Sequence, residues 1–276
     1  MHIKSQFFYV TLSLLSLLSL LSLLWPKPCE ATTPVLEKIS WKLEHKLPHD
    51  PSAFTQGLEV WGNSHFLETT GLYGKSEIRK VERLTGKIVA AQALDPKFFG
   101  EGVTRLGPDI FQLTWREGIM LKWAFQGKDL RASSKSKDSF RLQSSLPWSG
   151  EGWGITQGNG SLWISNGSSL LSEVDRKTMA LKKTLQITLS GRPMENLNEL
   201  EFVDGKIFAN IWMTSTIVRI NPQTGVIDGL MDLSPLVPQN LSQDAIANGI
   251  AWDSVKKRIY VTGKLWPTIF ELTLTK

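Results

Sequence analysis

The segments GEGVTRL (residues 100–106) and GEGWGIT (residues 150–156) each place a glutamate between two glycines at the start of a strand-like run. Three further segments align with them: TQGLEV (55–60), LNELEFV (197–203) and ANGIAWD (247–253). The second residue of each segment is polar, and successive ones lie 45, 50, 47 and 50 residues apart: Gln56, Glu101, Glu151, Asn198 and Asn248. A period of this length indicates a repeat architecture.

Each repeat continues through short runs rich in Val, Ile, Phe and Thr, separated by Gly, Asn, Asp and Pro, as in antiparallel strands joined by tight turns. Four strands at this period form a propeller blade, so five repeats predict five blades. The fifth repeat stops after three strands, at FELTLTK (270–276), whereas LEKISWKLEHKL (36–47) precedes the first repeat. The sequence therefore predicts an all-β, five-bladed β-propeller closed by an N-terminal strand, in which the strand near Trp41 completes the blade ending at Leu274.

Residues 1–31 have the pattern of a targeting segment. Lys4 precedes a run of Leu and Ser that ends near residue 25, which favours a signal peptide or a signal anchor. We therefore expect residues 32–276 to form the propeller domain and to be exported, to a periplasm, a secretory lumen or the medium. Membrane association is expected only if residues 7–25 are retained as an anchor. Sequons that matter only in a glycosylating source occur at Asn159, Asn166 and Asn240.

The composition disfavours several classes of function. The formal net charge of +5 comes from dispersed Lys and Arg, so nucleic-acid binding is not expected. The one cysteine, Cys29, lies beside the targeting segment, and the four histidines form no metal-ligand motif: His2, His45, His49 and His65. No metal or other cofactor is expected, and a metal-dependent propeller hydrolase of the lactonase type is disfavoured.

Other positions of the repeat carry residues that suit a ligand pocket. The first strand of a propeller blade lines the central channel, so the five polar residues should surround one mouth. Two residues further on, Trp153 replaces an aliphatic residue, and fourteen residues on from the polar position lie Trp115 and Trp212. Blade one has Thr70 at this place, and blade five has Lys264 near it. Indole walls with convergent polar groups predict a small-ligand site, although the polar residues can also tie adjacent blades together.

An ordered set of motifs resembles the plant and bacterial type of glutaminyl-peptide cyclotransferase. The motifs are FTQGLE (54–59), ETTGLYGKS (68–76), FGEGVT (99–104), GEGWG (150–154), NELEFVDGKIFANIW (198–212), NGIAWD (248–253) and VTGKLWPTIFEL (261–272). The resemblance spans roughly residues 35 to 274 and implies a five-bladed propeller. It also implies an acyltransferase that converts an N-terminal glutamine of a peptide or protein to pyroglutamate and releases ammonia.

The resemblance also chooses between the two Gly-flanked glutamates, which the repeat alone leaves equivalent. It implies that Glu101 is the general acid/base, because one carboxylate can take a proton from the α-amine and give one to the departing nitrogen. The other matched positions imply substrate binding: Phe54, Gln56, Phe99, Trp115, Trp153, Asn198, Trp212 and Lys264. The rings would hold the folded-back glutamine, and Gln56, Asn198, Lys264 and indole N–H groups would donate hydrogen bonds. A monomer is expected. The alternative is an exported, non-catalytic propeller that binds a peptide or a sugar.

Overall fold

The structure, a computed structural model, describes residues 36–127 and 138–275. Within these ranges the regular structure is β-strand, apart from one short 3₁₀ turn at Ser234–Leu236. The predicted targeting segment, residues 1–31, lies outside the described residues. No helix within the described ranges is long and apolar enough to cross a bilayer.

Five four-stranded blades make up the described part of the chain, and neighbouring strands within each blade pair antiparallel from the inner edge outward. Blade one contains Thr55–Trp61, His65–Thr70, Glu77–Glu82 and Ile88–Ala93. Blade two contains Gly100–Leu106, Asp109–Thr114, Ile119–Gln126 and Ser139–Pro147. Blade three contains Ile155–Gly158, Ser161–Ile164, Leu170–Asp175 and Leu181–Gln186. Blade four contains Leu197–Val203, Lys206–Ile211, Thr216–Ile220 and Ile227–Asp232.

Blade five joins the two ends of the chain. Its three inner strands are Ala247–Asp253, Arg258–Gly263 and Thr268–Thr275, and its outermost strand is Ser40–Pro48. The outermost strand pairs antiparallel with the last one, with Trp41 opposite Leu274. The predicted closure by an N-terminal strand is therefore confirmed, and it covers a sheet edge that would otherwise be open.

Three short strands lie outside the blades of four. Glu37–Lys38 adds a parallel strand to the outer edge of blade four. A small hairpin of Thr188–Leu189 and Arg192–Pro193 connects blades three and four.

Each of five hydrophobic clusters lies between two adjacent blades, so the core is divided into five layers around the ring. Between blades five and one, for example, Phe66 packs edge-on against Tyr260, with ring centroids 5.0 Å apart. Because each blade face is covered by the next blade, removing any blade would expose two apolar faces to water. The repeat in the sequence is thus also the repeat of the core.

Two glycines at the start of the blade-two and blade-three inner strands let neighbouring inner strands approach closely. A Cβ atom on Gly102 would lie 2.6 Å from the Trp153 carbonyl oxygen, which accepts a 2.8 Å hydrogen bond from the Gly102 N–H. A Cβ atom on Gly154 would overlap the Asn198 carbonyl oxygen in the same way. Glycine is therefore required at these two places, whereas blade four has Glu199 at the equivalent position.

Buried carboxylates tie the inner strands together deeper in the ring. Glu199 of blade four accepts hydrogen bonds from the backbone N–H groups of Leu58 in blade one, at 3.3 Å, and Ile250 in blade five, at 2.9 Å. Glu201 accepts one from Trp252 at 2.8 Å. Burial raises the pKa of both carboxyl groups well above the ordinary value. Channel side chains thus satisfy strand-edge donors that no backbone acceptor reaches.

Candidate active site

A cavity of about 380 Å³ opens where the inner strands begin and the second strands end. All nine predicted site residues line it: Phe54, Gln56, Phe99, Glu101, Trp115, Trp153, Asn198, Trp212 and Lys264. Five further residues line the same cavity: Arg116, Glu151, Met213, Asp244 and Ile246. Its size and its aromatic lining suit a small ligand or the end of a peptide chain.

The exits of the second strands supply the cation and two of the indoles. Trp115, Trp212 and Lys264 each follow the last residue of a second strand. The backbone N–H of each donates a hydrogen bond to a carbonyl just before the inner strand of its own blade: Phe99 at 3.0 Å, Asn196 at 2.9 Å and Ile246 at 2.9 Å, respectively. One backbone position of the repeat therefore delivers three side chains to the cavity.

Blade one corrects the sequence alignment by one residue. Its strand-exit residue is Gly71, whose N–H donates to the Phe54 carbonyl oxygen at 2.8 Å, and not Thr70. The hairpin turn of blade one, residues 62–64, is one residue longer than that of blade two, residues 107–108, and this accounts for the extra residue. A Cβ atom on Gly71 would overlap the Phe99 ring. The glycine thus leaves space for an aromatic ring that blade two contributes.

Glu101 lies in the cavity with 5% of its surface exposed. Its Oε1 atom accepts one hydrogen bond, from Gln56 Nε2 at 3.2 Å. Asn248 Nδ2 donates to Gln56 Oε1 at 3.0 Å, so the carbonyl side of Gln56 faces Asn248 and its NH₂ group faces the carboxylate. Burial raises the pKa of Glu101 well above its usual value, and the positive charge of Lys264 only partly opposes this.

Lys264 supplies a buried cation on the same cavity wall. It is 5% exposed, and its Nζ atom lies 4.6 Å from the centroid of the Phe54 ring. Burial lowers the pKa of Lys264, while the negative charge of Glu101 works in the opposite direction. Among the described residues, neither an ion pair nor a hydrogen bond occupies Nζ, so its N–H groups are free to meet a ligand oxygen.

Contacts of His49 and a backbone hydrogen bond support this part of the cavity. His49 Nε2 lies 2.7 Å from Glu68 Oε1, and His49 Nδ1 lies 2.6 Å from the Trp266 carbonyl oxygen. The Leu265 N–H donates to the Ala53 carbonyl oxygen at 2.7 Å. The bonds of Trp266 to His49 and of Leu265 to Ala53 hold the turn that carries Lys264 against the segment before blade one.

Blade three corrects the sequence alignment by two residues. Ile155 pairs with Ile164 as Val103 pairs with Gln112 in blade two, so Trp153, and not Glu151, occupies the position of Glu101 in the blade.

Glu151 has a very different environment from Glu101. Its Oε2 atom accepts hydrogen bonds from the indole N–H groups of Trp115 and Trp153, both at 2.9 Å. Its Oε1 atom accepts one from Arg116 Nε, also at 2.9 Å. Burial works to raise the pKa of Glu151, but the bonds from Trp153, Arg116 and Trp115 outweigh it and hold the pKa below the usual value.

These bonds change one expectation from the sequence. The indole N–H groups of Trp115 and Trp153 are bonded to Glu151, so they are not available to a substrate carbonyl or an oxyanion. Asn198, in contrast, is 3% exposed and its Oδ1 atom has no partner within the described part of the chain. Lys264 Nζ and the Trp212 indole N–H therefore remain as donors at the cavity, and Asn198 Oδ1 remains as an acceptor, each without a hydrogen-bond partner in the described part of the chain.

No group of three or more His, Cys, Asp and Glu residues in the described ranges is arranged to hold a metal ion.

The comparisons with known proteins agree with the sequence motifs. The model of the glutamine cyclotransferase family matches residues 14–274. The chain belongs to this family. Membership confirms the family predicted from the motifs and the expectation of an acyltransferase.

Two individual proteins support the assignment. The chain is 40% identical to the glutaminyl-peptide cyclotransferase of Arabidopsis thaliana over 233 residues, which cover 83% of this chain and 69% of the relative. It superposes on the crystal structure of Myxococcus xanthus glutaminyl cyclase with a TM-score of 0.76 and 33% identity. That match covers 88% of this chain and all of the solved chain.

From the sequence, Glu151 was expected at the channel mouth with no role in the ligand site, and Arg116 was not identified. The signal for Glu151 was its place between two glycines, two residues before Trp153. Arg116 directly follows Trp115, and its guanidinium lies 3.7 Å from the centroid of the Trp115 ring. That stacking depends on the turn after the second strand, which the residue spacing does not specify.

Proposed function

We propose that the protein is a glutaminyl-peptide cyclotransferase that converts N-terminal glutamine to pyroglutamate with Glu101 as its single general acid/base. The observation that carries this proposal is the position of Glu101, buried in an aromatic cavity with a raised pKa that the charge of Lys264 only partly opposes. Family membership supplies the reaction class, and the residues of the cavity supply the steps.

The first step is attack of the peptide's α-amine nitrogen on the side-chain amide carbon of the same residue. A C–N bond forms, the carbonyl oxygen becomes an oxyanion, and the nitrogen loses a proton to the Glu101 carboxylate. An N-terminal amine has a pKa of about 7.7–8.0, so a carboxyl group with a raised pKa is better matched to it than an ordinary glutamate.

The second step is collapse of the tetrahedral intermediate. Glu101 returns the proton to the amide nitrogen, the bond between that nitrogen and the carbon breaks, and ammonia leaves. Glu101 takes one proton and gives one back, so it ends the reaction in the same protonation state in which it began. Lys264 Nζ is the donor that would stabilise the oxyanion, and Asn198 Oδ1 would accept a hydrogen bond from a substrate N–H group.

The aromatic residues would hold the flexible glutamine in the folded shape that ring closure requires. Their rings enclose the cavity on several sides, and restricting the substrate to a reactive geometry can contribute several kcal/mol, up to roughly 7–11. We further propose that the protein acts outside the cytosol, because residues 1–31 have the pattern of a signal peptide or signal anchor.

The test is incubation of the purified protein with a peptide that begins with glutamine, followed by measurement of released ammonia and of the peptide's mass. We expect stoichiometric loss of ammonia and formation of pyroglutamate. The same peptide with an acetylated N-terminus is the matched control, because it keeps the amide and lacks the nucleophile. Binding of the peptide without turnover would contradict the proposal in favour of a binding module.

A parallel reaction with a chelator tests the acid/base chemistry. We expect unchanged turnover, because Glu101 can make both proton transfers and Lys264 provides the positive charge. Loss of turnover that added zinc restores would contradict the single-carboxylate mechanism.

A further inference from the structure

The aromatic lining of the cavity is an arc in two halves. In the first half Phe54 lies 6.3 Å from Phe99, and Phe99 lies 5.5 Å from Trp115, measured between ring centroids. In the second half Trp153 lies 5.8 Å from Trp212. Blades one and two supply the first half, and blades three and four supply the second.

Glu151 is the link between the two halves. One of its oxygen atoms, Oε2, accepts the indole N–H of Trp115 at the end of the first half and that of Trp153 at the start of the second. No ring contact joins Trp115 to Trp153 among the described residues. A hydrogen-bonded carboxylate therefore replaces ring packing at this one place in the arc.

The second oxygen of Glu151 extends the same network outward. Oε1 accepts a hydrogen bond from Arg116, whose guanidinium also stacks on one face of the Trp115 ring. Charge-assisted hydrogen bonds are stronger and more directional than neutral ones. The Trp115 ring is thus held at its N–H edge by Glu151 and on one face by Arg116.

We propose that Glu151 is a positioning residue for the cyclisation, which sets the orientation of the Trp115 and Trp153 indoles so that the two halves of the arc close around the substrate's glutamine side chain. This role rests on the proposed function and adds to it: Glu101 moves the protons, and Glu151 shapes the wall. The two Gly-flanked glutamates of the repeat thus serve one site in different ways.

Glu151 also contributes a fixed negative charge near the reaction. Its charge raises the pKa of Glu101, as does that of Glu117, although burial is the larger cause. Replacing Glu151 therefore has two separable consequences, one on the geometry of the indoles and one on the titration of Glu101. Two variants separate them: Glu151→Gln keeps the size and removes the charge, whereas Glu151→Asp keeps the charge and shortens the reach.

The experiment measures kcat and KM against pH for both variants in the full chain, with a glutamine-initiated peptide. A small misplacement of a positioning group can cost about a hundredfold in rate, so we expect kcat/KM to fall roughly ten- to hundredfold in both. In Glu151→Gln the acidic limb of the kcat/KM profile should also move to lower pH, because a charge that raises the pKa of Glu101 is gone. In Glu151→Asp that limb should stay in place.

Glu173→Gln is the matched control. Glu173 belongs to the same blade and binds Ser161, Lys182 and Lys183, but it does not line the cavity. We expect wild-type kinetics from this variant. A general loss of activity caused by removing any blade-three carboxylate would appear in it as well.

A spectroscopic measurement tests the contact without using activity. In protein labelled with ¹⁵N-tryptophan, the indole N–H signals of Trp115 and Trp153 are assigned with Trp115→Phe and Trp153→Phe. Both signals should shift in Glu151→Gln and stay in place in Glu173→Gln. Unshifted signals together with wild-type kinetics in Glu151→Gln would overturn the inference.

Two other outcomes would contradict the positioning role or the proposed function separately. If Glu151→Gln loses more than a thousandfold and its acidic limb disappears, Glu151 is itself the base and the positioning role is wrong. If the wild-type protein releases no ammonia at all, the proposed function fails. The indole signals then still report whether Glu151 orients the two rings.

Discussion

The starts of blades two and three have the same Gly-Glu-Gly sequence but place their glutamates in opposite environments. Glu101 is buried, and one side-chain amide donates to its carboxylate. Glu151 accepts three hydrogen bonds, two from indoles and one from an arginine. Burial raises the pKa of Glu101, whereas hydrogen bonds overcome burial and lower the pKa of Glu151.

This difference shows how a repeat can supply one site with two roles. Two carboxyl groups whose pKa values are pushed apart can divide the tasks of a reaction, one moving protons and the other remaining ionised. The division does not come from the glutamates or their flanking glycines, which are identical. It comes from their positions: Glu101 lies within the inner strand Gly100–Leu106, whereas Glu151 precedes the inner strand Ile155–Gly158, so the two carboxylates meet different neighbours.

The largest expected effect is that of Glu101→Gln, which keeps the side chain's size and removes the base. Loss of a positioned acid/base group costs about a hundredfold to ten-thousandfold in rate, and we expect a kcat decrease in that range. KM should change little, since the aromatic walls remain. Steady-state ammonia release measures both constants. A Glu101→Gln variant more active than Glu151→Gln would show that the base has been assigned to the wrong blade.

The second prediction concerns Lys264→Met, which removes the buried cation and keeps an unbranched chain. Loss of one oxyanion donor costs about a hundredfold to a thousandfold in kcat. The positive charge also lowers the pKa of Glu101, so the acidic limb of the pH profile should move to higher pH. This direction is opposite to that expected for Glu151→Gln. Limbs that move in the same direction in the two variants would contradict the proposed electrostatics.

The third prediction concerns Asn248→Ala, which removes the donor that orients the Gln56 amide. Gln56 can then turn its carbonyl oxygen toward Glu101, which disfavours the ionised carboxylate. A neutral hydrogen bond contributes about 1 kcal/mol, so we expect kcat/KM to fall roughly three- to tenfold.

A double-mutant cycle checks the pathway of this effect. If Asn248 acts through Gln56, Asn248→Ala should cause no further loss of activity in a Gln56→Ala background. Additive losses in the double variant would mean that Asn248 affects the site by another route, such as its bond to the Thr55 carbonyl oxygen.

The ring of blades and its closure were predictable because they depend on spacing alone. Five polar positions at a regular period and two complementary chain ends allow one simple arrangement, and Trp41 does pair opposite Leu274. The nine site residues come together in one cavity as the motifs imply, and their individual roles stay predictions.

The partners of Glu151 were not predictable in the same way. They depend on side-chain torsions of Trp115 and Arg116, which a blade-two turn delivers to a blade-three carboxylate. The one-residue error at Gly71 has a different cause: the hairpin turn of blade one is one residue longer than that of blade two, and a fixed count of fourteen residues makes no allowance for turn length.

The smallest expected effect is on stability, and its sign should differ between the two Gly-flanked glutamates. The folded-state pKa of Glu101 lies above its unfolded value, so the folded state holds this proton more tightly and loses stability as pH rises between the two values. Glu101→Gln mimics the protonated form and should raise Tm at pH 8.

The folded-state pKa of Glu151 lies below its unfolded value, so Glu151 stabilises the fold above that value and Glu151→Gln should lower Tm at pH 8. For a chain of this size each difference should amount to roughly 2–4 °C per kcal/mol, and both should shrink below about pH 4, where glutamates protonate in the unfolded chain. Thermal melts of both variants at pH 8 and pH 4 measure this, and shifts of equal sign at pH 8 would show that the two environments do not differ as their contacts indicate.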